Sequence, residues 1–358
     1  MNRRAAVFIV VCIGVVTLAA VLDLRHLLTS YLVAFLVCLG LSLGALANLM
    51  LHEVTGGRWG LAVRAPLMAA ARLVPLTALL AIPLLIGMRM LYPWVESHEP
   101  EVLAKSWWLN PAFFAARGVI YIVIWSVLAW YWLRLAERCT TVRPPTLRRL
   151  SAFGLIVYGL TISLAAVDWI MSLLPRWYSS AFGLLIATAQ MLSALALAAW
   201  ACSRDARTES DRLLDIGNLL LTYVMTWAYL AFTQFLIIWA EDLPTEISWY
   251  LPRVQTSWLW LTLFVFILQF ALPFLLLLSR SLKRSHRALG RLAAALLVAQ
   301  LAYSIYLVLP TVRPDGIDFA WTDPLAIVAL LALWLAGWWF NLNGRGGEPI
   351  VRASRGIA

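Results

Sequence analysis

Histidine and cysteine are both scarce in this chain, four of each, and none stands where metal chemistry would want it. Cys12, Cys38, Cys139 and Cys202 are scattered, with no CxxC or CxxCH among them. That pattern excludes an iron–sulfur cluster, a c-type haem and a disulfide framework built by this chain. His26, His52, His98 and His286 fall at helix ends or in loops. A membrane b-type haem needs two imidazoles facing each other across a bundle, and no apolar run supplies them. Nucleotide-binding and hydrolase signatures (a Walker loop, GxGxxG, HExxH, GxSxG) are missing from any suitable context. Any redox role therefore runs through a quinone or through partner chains that carry the metals. Charge is sparse as well, at 13% of residues against 63% hydrophobic. A soluble domain of this length cannot have that composition.

What the chain has instead is a succession of long apolar runs. Ten are read, at 5–22, 28–51, 68–91, 111–134, 151–174, 180–202, 214–239, 257–279, 291–309 and 323–341. A hydrocarbon core of ~30 Å is crossed by ~20 apolar residues at the helical rise, and within lipid a helix satisfies its own backbone. The expectation is an all-α integral membrane protein with ten transmembrane helices and little mass outside the bilayer. The first run follows Arg3-Arg4 and shows no small-residue cleavage site before Asp23-Leu24-Arg25, so it reads as a retained anchor.

The net charge of +10 is a topology signal. With the connections assigned alternately, twenty of the 28 Lys and Arg fall on the N-terminal side, including the runs Arg143–Arg149 and Arg280–Arg291. Only Arg25, Lys105, Arg176, Arg253 and Arg313 fall on the other side, while Arg72, Arg89 and Arg117 lie inside apolar runs. The positive-inside rule then puts both termini in the cytoplasm, and a bacterial inner membrane is the expected location. No folded basic face remains for nucleic acid. The opposite connections, 93–111 and 241–252, are acidic and aromatic, with Trp94, Trp107, Trp108 and Trp249; Trp177, Trp258, Trp260 and Trp321 fall at the same level. They form either an anchoring belt among lipid headgroups or a docking face for extramembrane subunits.

Ionisable groups inside the bilayer are costly and are usually paired or functional. Asp168 and Arg117 sit on consecutive antiparallel runs, each ~9 Å from the same end at the helical rise. They can meet, with Arg89 as a second cation and Tyr121 and Trp169 alongside. The cluster is a register-fixing ion pair or a proton or quinone-headgroup site. Near the opposite end, Asn48, His52, Glu53, Arg72 and Asp215 form a second candidate cluster, in which Arg72 can snorkel to the surface. His52 precedes Thr55-Gly56-Gly57 and Trp59-Gly60, a turn that folds backbone toward a titratable imidazole. A polar stripe, Asn218, Thr222, Thr226, Tyr229 and Thr233, lies on one face of its run, with Gln234 beside it and Asp215 at its mouth. Its hydroxyls either bond neighbouring helices or hold a file of water. Gln190, Gln269 and Gln300 add one amide each to other runs as interhelical contacts.

Several stretches resemble one family in order. They are His52-Glu-Val-Thr-Gly-Gly-Arg-Trp-Gly60, Tyr92-Pro-Trp94, Asn110-Pro-Ala-Phe-Phe-Ala-Ala-Arg117, Asp168-Trp-Ile-Met-Ser-Leu173, Trp177-Tyr-Ser-Ser-Ala-Phe-Gly183 and Trp227 to Trp239, followed by Pro244 and Trp249-Tyr250. Over residues 50–255 they resemble the ActF-type membrane subunit of alternative complex III, of the polysulfide-reductase/NrfD-like family. The resemblance implies two four-helix bundles plus two peripheral helices: 1–27 the first peripheral helix, 28–174 and 175–309 the bundles, and 310–358 the last helix and tail. It also implies a non-haem subunit of a quinol:cytochrome c oxidoreductase, with a quinone nearby and haem and iron–sulfur centres only in partners. Those partners are a sister NrfD-like membrane subunit, an iron–sulfur subunit and a multihaem cytochrome c subunit. Proton translocation, assembly support or both would be its contribution. The sequence departs from the family pattern at Leu174-Pro175-Arg176, over Arg64–Arg72 and at Asn218, which removes titratable groups. Two other classes compete: a proton-coupled secondary transporter, for which Pro75, Pro83 and Pro273 are candidate helix breaks, and a scaffold within a terminal oxidase cluster.

Overall fold

The computed structural model describes residues 24–138, 145–318 and 320–344. Helices account for the ordered elements, with no strand among the described residues. Nine of these helices are long and apolar enough to cross a membrane. They are α1 (Leu24–Thr55), α2 (Trp59–Ile86), α3 (Pro111–Arg138), α4 (Pro145–Leu173), α5 (Phe182–Arg204), α6 (Ser210–Glu241), α7 (Leu259–Leu277), α8 (His286–Val312) and α9 (Thr322–Asn343). They coincide with nine of the ten apolar runs, and the run at 5–22 lies outside the described residues. The chain is a multi-pass membrane protein.

Burial follows from how apolarity is distributed around each helix. α1 and α5 are apolar on all sides and almost wholly enclosed, as expected of helices with no solvated face. α1 packs against α2, α4, α5, α8 and α9, and α5 packs against α1, α2, α4, α6 and α8. The two touch backbone to backbone at Gly44, where a Cβ would stand 2.0 Å from the Gln190 carbonyl oxygen. Small residues at such crossings let membrane helices approach closely. α9 returns to pack on α1 and α2: Trp334 Nε1 donates to Ser42 Oγ at 2.8 Å and Trp338 Nε1 to the Pro66 carbonyl at 3.0 Å.

Two spans, α2 and α7, are interrupted beside prolines. α2 begins at Trp59, well before the apolar run at 68, and relaxes into a turn at Arg72–Leu73 ahead of Pro75 and again at Ala81 ahead of Pro83. In α7, residues Phe266–Ala271 form a π-helical turn, and Leu272 N–H donates to the Ile267 carbonyl just before Pro273. A proline ring crowds the carbonyl four residues back and lacks a donor for it, so a wide turn relieves the clash. α8 contains Pro310 near its end.

On one side short turns join the spans at Thr55–Trp59 and Arg204–Ser210, and a single short helix, Arg280–Arg284, lies in the connection Leu277–His286. This basic side contrasts with an acidic, aromatic side where the connections fold into short helices, Pro93–Val95, Pro100–Leu103, Pro244–Ile247 and Leu251–Gln255. The tryptophans there divide. Trp107, Trp260 and Trp321 are exposed, as a belt or docking face requires, but Trp94, Trp177, Trp249 and Trp258 are buried. Trp177 and Trp249 stack with centroids 4.3 Å apart, so part of the aromatic layer is an internal core for the connections.

Candidate functional site

Asp168 accepts four hydrogen bonds on the acidic, aromatic side. It is fully buried on the last turns of α4. Arg117 reaches it from α3 in a two-pronged pair, Nε to Oδ2 at 2.8 Å and Nη2 to Oδ1 at 2.7 Å. Tyr121, one turn further along α3, donates to Oδ2 at 2.8 Å, and Trp108 Nε1 donates to Oδ1 at 3.0 Å. The guanidinium lies 4.0 Å above the Trp108 ring and 4.2 Å from that of Phe113, and its Nη1 donates to the Trp108 carbonyl. Planar, bidentate geometry of this kind suits arginine and not lysine. Around the pair, Ser172 Oγ donates to the Asp168 carbonyl and Tyr92 to the Trp169 carbonyl. The connection carrying Trp108 is tied down by Lys105 Nζ on the Pro175 carbonyl and by Arg176 paired with Glu99 and Glu101.

Arg89, expected as a second cation here, does not join the pair. It is exposed, and among the described residues no ion pair or hydrogen bond links it to Asp168. The helix breaks at Gly87, and Arg89 sits in the separate turn Met88–Leu91 beyond it. The carboxylate also has little to offer a second cation, since both oxygens already accept from Arg117 and from a further donor.

The cluster expected near His52 separates into several local arrangements. His52 Nε2 lies 2.9 Å from the Gly57 carbonyl across the turn, where Gly56 and Gly57 take φ of 76° and 98°. Only glycine adopts such angles at little cost. The His52 ring meets Trp59 edge-on at 5.1 Å. Glu53 pairs with Arg64 at 2.9 Å, and Arg72 reaches Glu137 on α3 at 2.7 Å. Asn48 turns inward, accepting from Tyr223 of α6 at 2.8 Å and donating to the Gly44 and Met191 carbonyls. Asp215 is half-buried at the start of α6, and no hydrogen bond among the described residues joins it to His52 or Arg72.

The polar stripe of α6 faces outward. Tyr229 is 68% exposed, Asn218 and Thr222 are exposed, and Thr226 and Thr233 are half-buried. Thr222 and Thr226 return their hydrogens to the Asn218 and Thr222 carbonyls of their own helix. The buried face carries Ile216, Leu220, Tyr223, Val224, Trp227 and Gln234. Asn218 Oδ1 accepts from Lys283 Nζ at 2.6 Å at the end of the stripe; beyond it, no hydrogen bond among the described residues joins Thr222, Thr226, Tyr229 or Thr233 to another helix.

Two buried polar sites were not singled out in the sequence. Asp323 opens α9 and holds Arg313 by two bonds at 2.7 and 2.8 Å, while Ser30 of α1 donates to it at 2.5 Å. Arg253, 1% exposed, has no carboxylate partner among the described residues. Its guanidinium lies 3.5 Å from the Trp249 ring centroid and donates to the Tyr306 carbonyl at 2.9 and 3.2 Å, to the Leu307 carbonyl at 3.2 Å and to Thr311 Oγ1 at 2.9 Å. Burial pulls its pKa down to about 10, so it stays cationic at neutral pH. The Tyr306 carbonyl is the acceptor that Pro310, lacking N–H, leaves without its helical donor. A proline near the end of α8 was the signal that some outside donor was needed.

Among the described residues no group of three or more His, Cys, Asp or Glu side chains gathers in metal-binding proximity. A cavity beside Trp169, lined by Tyr92, Phe114 and Phe35, measures about 10 Å³, and a second, between α1, α5 and α8, about 40 Å³. Both fall far short of the ~300–1,000 Å³ of an organic-ligand pocket, so neither fits a quinone ring. No family model matches the chain, and no curated protein matches it.

Proposed function

We propose that this chain is a non-haem integral subunit of a respiratory quinol-oxidising complex of the alternative complex III type, held beside a sister membrane subunit. The observation that carries the reading is the outward stripe of α6. Tyr229 lies near the middle of its span and exposes 68% of its surface. A phenol held against lipid tails would lose its hydrogen-bond partners at a cost of several kcal/mol, on the order of 2–7. A neighbouring membrane chain offering acceptors removes that cost, and Thr222 and Thr233 extend the same seam. Several of the segments that carry the family resemblance meet on the acidic, aromatic side, Arg117 with Asp168 and Trp177 with Trp249, while His52–Gly60 forms a turn on the basic side. The contacts of α1 with α2 and α4, and of α5 with α6 and α8, support reading 28–174 and 175–309 as two four-helix units.

In this reading the basic side is cytoplasmic and the acidic, aromatic side receives the haem and iron–sulfur subunits. Neither cavity described above has room for a quinone ring, so in this reading a quinone would sit between the chain and its membrane partner. Reporters fused near Arg284 should read cytoplasmic and those near Glu99 or Asp242 external; the reverse would remove the docking face. Affinity purification of the tagged chain from its own membranes is expected to bring haem-bearing and iron–sulfur chains with it, and arrival alone would overturn the proposal. The helix breaks in α2 and α7 suit a secondary transporter, but the mid-depth cavity of about 40 Å³ has room for water and none for an organic solute.

A further inference from the structure

The cavity between α1, α5 and α8 carries a group of polar side chains on otherwise apolar walls. Gln190 and Ser193 of α5 and Gln300, Tyr303 and Ser304 of α8 line it, with Gly40 of α1 opening the space. Gln300 is 5% exposed and Tyr303 3%, yet among the described residues Gln300 Nε2 and the Tyr303 hydroxyl hydrogen have no acceptor; the Trp227 indole N–H, which can only donate, is the group beside the Tyr303 oxygen. Ser193 and Ser304 donate to the Gln190 and Gln300 carbonyls, which leaves their oxygens free to accept. Gln190 already accepts from Tyr158 of α4 at 3.0 Å. Donors without acceptors and acceptors with spare lone pairs thus line one small space.

Dry protein cavities are apolar, whereas a roomy space with two to four polar partners holds ordered water, each molecule needing ~10–15 Å³ by this measure. We infer that this cavity, of about 40 Å³, binds a small cluster of ordered waters, about three or four, that partners Gln300 and Tyr303. The cluster continues the Tyr158–Gln190 bond into a hydrogen-bonded link from α4 through α5 to α8, at mid-depth in the bundle. A buried amide and phenol left unmatched would otherwise weaken the junction at which the two central helices meet α8. The ligand class is water because the volume admits nothing larger and every lining polar group is neutral. The site stands whatever assembly the chain joins.

Brief X-ray irradiation of the purified chain in heavy-oxygen water tests this, because radicals formed from a bound internal water label the side chain beside it. Tyr121 is the internal control, being equally buried at 3% but bonded to Asp168. Tyr303 is expected to be labelled severalfold more than Tyr121; labelling at or below the Tyr121 level overturns the proposal. Tyr303→Phe gives an independent sign. If water satisfies the hydroxyl, its removal should lower the thermal midpoint by about 2 °C. In a dry cavity the substitution deletes an unmatched polar group, so a raised midpoint would also overturn the inference.

Discussion

Asp168→Asn is expected to cut accumulation of the chain in the membrane severalfold, and with it assembly into any larger complex. The carboxylate accepts from Arg117 twice, from Tyr121 and from Trp108. An amide presents one acceptor oxygen in place of two, so at least one buried donor loses its partner and Arg117, only 5% exposed, keeps a charge with no counter-ion. Removing one partner of a buried pair typically costs ~3–5 kcal/mol, most of it from the charge left behind. Arg117→Gln alone should do similar damage by isolating the carboxylate. The double variant Asp168→Asn with Arg117→Gln should recover part of the loss, because neither charge remains. Tyr121→Phe removes one hydrogen bond to an ionised group and should cost about 1.5–3 kcal/mol. Immunoblots of membranes and thermal midpoints of purified variants measure all four. A double variant no better than the worse single one would refute the pairing energetics. In an assembled double variant, normal proton release on quinol oxidation would assign the pair to structure, and selectively low release would assign Asp168 to proton transfer.

Arg253→Ala carries the second large effect, about 3 kcal/mol on the usual cost of unmatched buried carbonyls. The guanidinium donates to the Tyr306 and Leu307 carbonyls and covers the Trp249 ring. Because Pro310 cannot donate to Tyr306, the deficit is repairable from within α8. Pro310→Ala restores an N–H at that position, so Arg253→Ala with Pro310→Ala should regain part of the lost thermal midpoint. Arg253→Lys keeps the charge and loses the forked geometry, and should fall between wild type and Arg253→Ala. A double variant that shows no recovery would mean that Arg253 acts through some contact other than the orphaned carbonyl.

The sequence resolved these features unevenly, for reasons that particular residues make clear. The spans were legible because a helix in lipid needs a long apolar run, and nine of the runs recur as helices. Asp168 and Arg117 could be matched because consecutive helices with equal depths must bring them level. Asp323 and Arg313 escaped notice because both stand at the ends of apolar runs, where charges look solvated, although Ser30 from α1 lies 293 positions away from its Asp323 partner. The α6 stripe shows a further limit. Steps of three and four residues place Asn218, Thr222, Thr226, Tyr229 and Thr233 on one face, but the period cannot say whether that face points in or out. Here the opposite face, with Tyr223 and Trp227, is the one α5 and α8 cover. Arg89 misled because a helix break at Gly87 cancels any estimate of direction made from a continuous helix.

The central claim is that this chain contributes membrane scaffold and polar contacts, while partners contribute the redox centres. The most direct test is to purify the tagged chain with whatever it binds, dissociate that assembly under mild chaotrope, and quantify haem and iron in each separated chain. Haem and iron should be present in the intact assembly and, after separation, should follow the extramembrane chains, with none on this one. An assembly without haem, or haem that stays with this chain, would contradict the claim.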